Sequence, residues 1–144
     1  MTTNSNKTLI FFRFEDLRVY HKAIDYALWV QENLQDNPDN PHKSFYQHFF
    51  TVSRAIPISI AEGSAFQKPQ FIQQLRQGKT AIRECLVLTT LAQKSQFITS
   101  SQETESRNQL IELTKMIGAL ITSLLRNPEA VEGQFEEETI HEIK

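Results

Sequence analysis

Glu62 and Glu84 are the first residues that could do chemistry, because two carboxylates brought together can act as general acid and general base. No histidine lies near either in the sequence. Arg54 and Arg83 are available as ion-pair partners, so a structural role is the stronger reading. Glu138-x-x-His141 is half of a di-iron bundle pattern. A complete site needs that motif on two helices and a glutamate from each of the other two, and here it occurs once. His21, His42 and His48 show no ligand spacing with one another. Cys85 falls on an apolar helix face, where a thiol is ordinarily inert. The chain has no glycine-rich phosphate loop and no visible nucleophile–base arrangement. These residues point away from catalysis and imply no metal and no cofactor.

A second constellation is basic. At about 100° per residue, Arg76, Lys79, Arg83 and Lys94 fall within roughly 60° of one another on one helix, and Lys68 precedes them. Such a stripe tracks phosphates, each neutralised phosphate adding salt-sensitive affinity. The plainer reading is a solvated face. No RNA-recognition signature, zinc finger or helix-turn-helix pattern accompanies it.

Four segments with helical periodicity must position these groups. The first spans about residues 15–35. Leu17, Tyr20, Ile24, Ala27, Leu28 and Gln31 share one face, and Val19, Ala23, Tyr26, Val30 and Leu34 extend it sideways. The apolar arc is about 200° wide, against the ~100° stripe a bundle helix needs. Trp29 falls outside it, among Arg18, Lys22 and Asp25. Residues 37–41 (Asn-Pro-Asp-Asn-Pro) break the chain. The second segment spans about residues 44–62, with Ser44 as N-cap. Phe45, Phe49, Val52, Ile56 and Ile60 make its core face, and Tyr46, Phe50 and Pro57 a separate stripe. Pro57 is expected to kink it, and Gly63 to end it as a C′ residue. The third spans about residues 69–95, with a core face of Phe71, Leu75, Gly78, Ile82, Cys85, Leu86, Thr89 and Ala92. The fourth spans about residues 103–126, with a core face of Leu110, Leu113, Met116, Ile117, Leu120, Ile121 and Leu124. Short connections favour antiparallel neighbours. The expected fold is an all-α, antiparallel up-down-up-down four-helix bundle over residues 14–127. Residues 1–13 form an N-terminal arm, and residues 128–144 a tail.

The 144 residues carry a net charge of −2 that hides an asymmetry. Residues 128–144 hold six Glu against one Lys, a net of −5. The rest holds 14 Lys and Arg against 11 Asp and Glu, a net of +3. A mildly basic body permits nucleic-acid contact without demanding it, and an acidic tail can compete with a polyanion for a basic patch. One cysteine cannot form an internal disulfide, which fits a reducing cytoplasm. The apolar run at residues 9–12 is too short for a signal-peptide core, and no stretch approaches the ~20 apolar residues of a membrane helix. Apolar surface beyond a bundle's own core must be hidden. Val19, Tyr26, Trp29, Val30, Tyr46, Phe50 and Pro57 are therefore the candidate oligomer interface.

Three stretches together resemble a known family. They are Phe14-x-Asp16-Leu17-x-Val19-x-x-Lys22-Ala23, Ile56-Pro57-x-x-Ile60-Ala61-Glu62-Gly63, and the helix holding Phe71, Leu75 and Glu84. They resemble the four-helix bundle family of proteins encoded in intervening sequences of bacterial 23S rRNA genes. That family includes the accessory variability protein of diversity-generating retroelements. The resemblance covers roughly residues 12–125. It implies a ring-like homo-oligomer, typically a pentamer, without enzymatic activity. It also implies binding of RNA or DNA and of a reverse transcriptase through basic surfaces. Members commonly carry basic residues one to two turns before the Ile-Pro, where this chain has Phe50 and Thr51, and an Asn where it has Ser59. An aromatic patch thus partly replaces a positive one. The expected function is a non-catalytic, nucleic-acid-associated or reverse-transcriptase-accessory assembly; the alternative is a protein-interaction scaffold.

Overall fold

The computed structural model describes residues 11–34 and 42–126. A 3-10 turn, Arg13–Asp16, leads into four helices: α1 Arg18–Asn33, α2 Lys43–Gly63, α3 Lys68–Lys94 and α4 Ser100–Arg126. The described residues contain no strand. The expected break at 37–41, residues 1–10 of the arm and the tail at 128–144 lie outside them.

Each helix packs on its sequence neighbours, and α1 packs on α4 to close the square. Paired positions run in opposite directions. Lys22 of α1 meets Glu112 of α4, while Tyr26, one turn later, meets Ser106, nearly two turns earlier. Likewise Gly63 of α2 abuts Phe71 of α3, and His48 reaches Glu84. The antiparallel four-helix bundle is borne out, with the α1/α2 side opposite the α3/α4 side.

The core is where a 3.6-residue period puts it on the last three helices. Phe49, Val52, Ile56 and Ile60 of α2 are buried, as are Phe71, Leu75, Ile82 and Cys85 of α3 and Leu110, Leu113, Ile117 and Leu120 of α4. Each large side chain so buried contributes about 1.5–3 kcal/mol. Leu86, expected in the core, lies instead at the α3/α4 surface. On α1 the expected centre of the core is displaced by roughly 100°. Val19, Ala23, Tyr26 and Val30 turn inward, and Trp29 follows them, stacked on Tyr26 with ring centroids 6.0 Å apart. Tyr20, Ile24 and Leu28 are left on the outer flank toward α2. An arc 200° wide does not say which half points inward.

The helix ends also differ from expectation. Ser44 is not the cap of α2; His42 holds that position, without a side-chain cap bond. Gly63 is the last residue of α2 and has no positive φ, so it is not a left-handed C′ terminator. A Cβ there would lie 2.8 Å from Phe71 Cδ1 and 2.9 Å from Gln74 Cβ. Glycine is needed because α3 turns back so closely over it. Pro57 is buried within α2, and the helix continues through it. α4 begins three residues earlier than expected because Thr99 and Gln102 form a reciprocal capping box. The Gln102 amide donates to Thr99 Oγ1 at 3.0 Å, and the Thr99 amide to Gln102 Oε1 at 2.9 Å. Between α3 and α4, Gln96 adopts φ 64°. The Phe97 amide then donates to the Ala92 carbonyl at 2.8 Å and the Gln96 amide to the Gln93 carbonyl at 3.0 Å, a Schellman closure. It seats Phe97 against Phe45 and Tyr46 at the start of α2.

Candidate functional site

Among the described residues, a buried polar cluster and two apolar surface clefts are features that could do something chemically. The cluster joins three helices. Tyr26 Oη lies 2.8 Å from Ser106 Oγ, which lies 2.8 Å from Thr89 Oγ1, and Thr89 donates to the Cys85 carbonyl at 2.8 Å. A carbonyl only accepts, so the direction of the chain is fixed. Thr89 donates to it, Ser106 donates to Thr89, and Tyr26 donates to Ser106. Every hydroxyl proton has an acceptor, which is what buried polar groups require. Burial pushes the Cys85 thiol from its ordinary 9.0 up to about 12, with the Glu84 charge adding to the effect. Burial likewise raises the Tyr26 hydroxyl, and nearby Cys85 adds to it. Both groups stay neutral and enclosed, so the cluster ties α1, α3 and α4 together and offers no reactive nucleophile.

Glu62 and Glu84 are not brought together. Glu84 lies 3.6 Å from His48 Nε2, with both side chains about half exposed. His48 is 14 residues before Glu62 on the same helix, about 21 Å along its axis. Paired carboxylates in glycoside hydrolases stand about 5–9.5 Å apart. The anticipated partners also differ: Arg54 lies over the Phe50 ring at 5.1 Å. Among the described residues no three His, Cys, Asp or Glu side chains converge as a metal site would need. Glu138 and His141 lie outside them.

The first cleft, of about 320 Å³, runs between α1 and α2. Phe14, Tyr20, Ile24, Leu28, Phe50, Pro57 and Ile58 line it, with Arg54 the one charged residue among its walls. Leu28 is 46% and Ile58 55% exposed. Phe11 and Phe12 are exposed as well, and the Phe12 ring lies 5.9 Å from that of Phe14 at the mouth. Of the seven residues expected at an interface, Phe50 and Pro57 line this cleft. Tyr46 is half-buried beside Phe97. Val19, Tyr26, Trp29 and Val30 are corrected: they are buried in the chain's own core, Trp29 showing only an edge at a shallow pocket between α1 and α4. The outward apolar flank of α1 is the face that was expected to be its core.

The second cleft, of about 350 Å³, lies between α3 and α4 on the opposite side. Its floor is Ile82, Leu86, Leu110 and Ile111, and its rim carries Arg83, Arg107 and Lys115. Arg107 pairs with Glu103 at 3.0 Å and donates to Thr90 Oγ1 at 3.0 Å. Arg83 and Lys115 have no carboxylate within ion-pair distance among the described residues. Beside this cleft the basic residues share one side of α3, Arg83 and Lys94 standing eleven residues apart with the exposed Val87 and Leu91 between them. Arg76, Arg83 and Lys94 are exposed and Lys79 is half-exposed on the outer crest of α3, while Lys68 sits half-buried at its start. From Arg76 to Lys94 the stripe is about 27 Å long. That is the axial length of about eight nucleotides of one strand at 3.4 Å each. Arg107 and Lys115, which widen it from α4, were not anticipated. They could be found only by knowing which face of α4 adjoins α3.

This bundle carries the Ile-Pro-x-x-Ile-Ala-Glu-Gly segment in α2, with its terminal glycine under Phe71. The chain matches the family model described as 23S rRNA-intervening sequence protein over residues 15–119. It belongs to that family. No curated protein matches it. The matched region takes in the whole of α1 to α3 and most of α4, so the features held in common are those that build the bundle. In this 23S rRNA-intervening sequence protein, no helix among the described residues is long and apolar enough to cross a membrane.

Proposed function

We propose that this 23S rRNA-intervening sequence protein is a non-catalytic cytoplasmic module. It assembles as a homo-oligomeric ring and presents the α3 stripe to nucleic acid, alone or with a reverse transcriptase partner. The observation that carries the ring is the placement of two different apolar clefts on opposite sides of the bundle. An isologous dimer buries one patch against itself. Two distinct patches, one at each side, join copies head to tail, and such contacts close into a ring when the rotation allows. Leu28 and Ile58 on one side, and Leu86 and Ile111 on the other, are the groups that need covering. The pentameric count comes from the family resemblance.

Arg76, Lys79, Arg83 and Lys94, with Lys68 at one end, supply the polyanion surface, repeated once per copy around the ring. The test combines solution mass with a mobility-shift titration of single-stranded RNA and duplex DNA at about 50 and 200 mM salt. The expected results are a mass several times that of the chain, loss of assembly in Leu28→Glu, and a shift that weakens steeply with salt. A monomer at all concentrations sinks the ring. A scaffold that binds only protein is the second reading, supported by Phe50 and Thr51 standing where basic residues are common in the family, with Arg54 held over Phe50. An assembly that shifts no nucleic acid at low salt would establish it.

A further inference from the structure

We infer that the ligand suited to the α3 stripe is an unpaired polynucleotide strand, with a base stacked on the aromatic end of the bundle at His42. The inference rests on the polyanion surface proposed above and names what that surface takes. Arg76, Lys79, Arg83 and Lys94 have no carboxylate within ion-pair distance among the described residues, so their charge is available to phosphates. Between them stand groups that phosphates do not need. Val87 is 57% and Leu91 49% exposed. Along the helix axis Val87 lies about 6 Å beyond Arg83, and Leu91 about 4.5 Å short of Lys94. Neither lines either cleft, so the contacts proposed for the ring leave them open. Beside Arg76, a shallow pocket of about 280 Å³ is walled by Gln73, Gln77 and Thr80. Their amides and hydroxyl both donate and accept hydrogen bonds.

The stripe ends on rings. Lys94 closes α3, and three residues later the turn seats Phe97 against His42, with ring centroids 3.8 Å apart and planes 29° from parallel. Phe97 also meets Phe45 and Tyr46, and all three are packed against the core. His42 is exposed, and the exposed Lys43 follows it. A ring stack anchored at its inner end and exposed at its outer ring is a platform on which a flat base continues. A duplex keeps its base faces stacked inside. An unpaired strand presents base faces, base edges and phosphates in alternation, which is the alternation of rings, amides and cations found on this side of the bundle.

The test uses the full chain and the fluorescence anisotropy of labelled oligomers of about 12 nucleotides at about 50 mM salt. Four are compared: RNA, single-stranded DNA, the matching duplex, and a strand of abasic units, which keeps the phosphates and removes the bases. An unpaired strand with bases should bind at least about fivefold more tightly than the duplex or the abasic strand, the lower end of what one stacked base contributes. The RNA and DNA arms show which sugar the strand carries, and tight binding of either supports the inference. His42→Ala should weaken that strand by the same factor and leave the duplex unchanged. His42→Phe, which keeps a ring, should restore it. Circular dichroism checks that both variants fold, and the abasic comparison needs no variant. An abasic strand or a duplex bound as tightly as the unpaired strand would overturn the inference and leave the polyanion surface standing. So would an undiminished affinity in His42→Ala. Binding of no oligomer at this salt removes both.

Discussion

Gly63→Ala tests the close approach that ends α2. The new methyl would stand 2.8 Å from Phe71 Cδ1 and 2.9 Å from Gln74 Cβ. Phe71 is fully enclosed, and Gln74 Cβ is fixed to the backbone of α3, so relief requires the two helices to separate. Overpacking of this kind costs about 1–3 kcal/mol. Alanine's better helix propensity returns at most about 1 kcal/mol, and less at the last residue of a helix. The net destabilisation is about 1–2 kcal/mol, and Tm falls by about 2–8 °C. Gly118→Ala is the control, because nothing lies within 4 Å of a Cβ at that position inside α4. It should stabilise by about 0.5–1 kcal/mol. Thermal melts followed by far-UV circular dichroism, at one protein concentration because assembly shifts Tm, read both. If Gly63→Ala melts at or above the parent temperature, the close approach is not what requires glycine there.

The hydroxyl chain predicts an asymmetry: Ser106→Ala leaves the buried Tyr26 proton without an acceptor and should cost about 1–3 kcal/mol. Tyr26→Phe removes only a donor and should cost about 1 kcal/mol. Urea midpoints rank the two, and an equal or reversed order would refute the assigned direction. Alkaline pH should also weaken the fold. Cys85 ionises near its ordinary 9.0 when unfolded but is pushed up to about 12 in the bundle, and Tyr26 is raised above its ordinary 10.0. Their stabilising contribution is complete below pH about 9. It declines as the unfolded chain ionises first, by up to about 1.4 kcal/mol per pH unit for each group. Urea midpoints between pH 8 and 11 check this, and Cys85→Ala should flatten the part that begins near pH 9.

The sequence by itself determined the bundle and three of its four inward faces. A narrow apolar stripe on α2, α3 and α4 has one direction, and a period of 3.6 reveals it without reference to a partner helix. The stripe from Arg76 to Lys94 was legible for the same reason, since all its members lie on one helix. The tertiary structure decided the rest. On α1 the apolar arc was twice as wide as needed, so only contact with α2 and α4 selected Val19, Ala23 and Tyr26 for the core, drew in Trp29 from beyond the arc, and left Tyr20, Ile24 and Leu28 outside. The role of Gly63 was hidden because its neighbours, Phe71 and Gln74, reach it only after the chain reverses. The two clefts and the Arg107 and Lys115 rim were hidden likewise, since each is made by two helices at once. Their placement on opposite sides, on which the proposed ring depends, is a property of how four amphipathic helices close into a square.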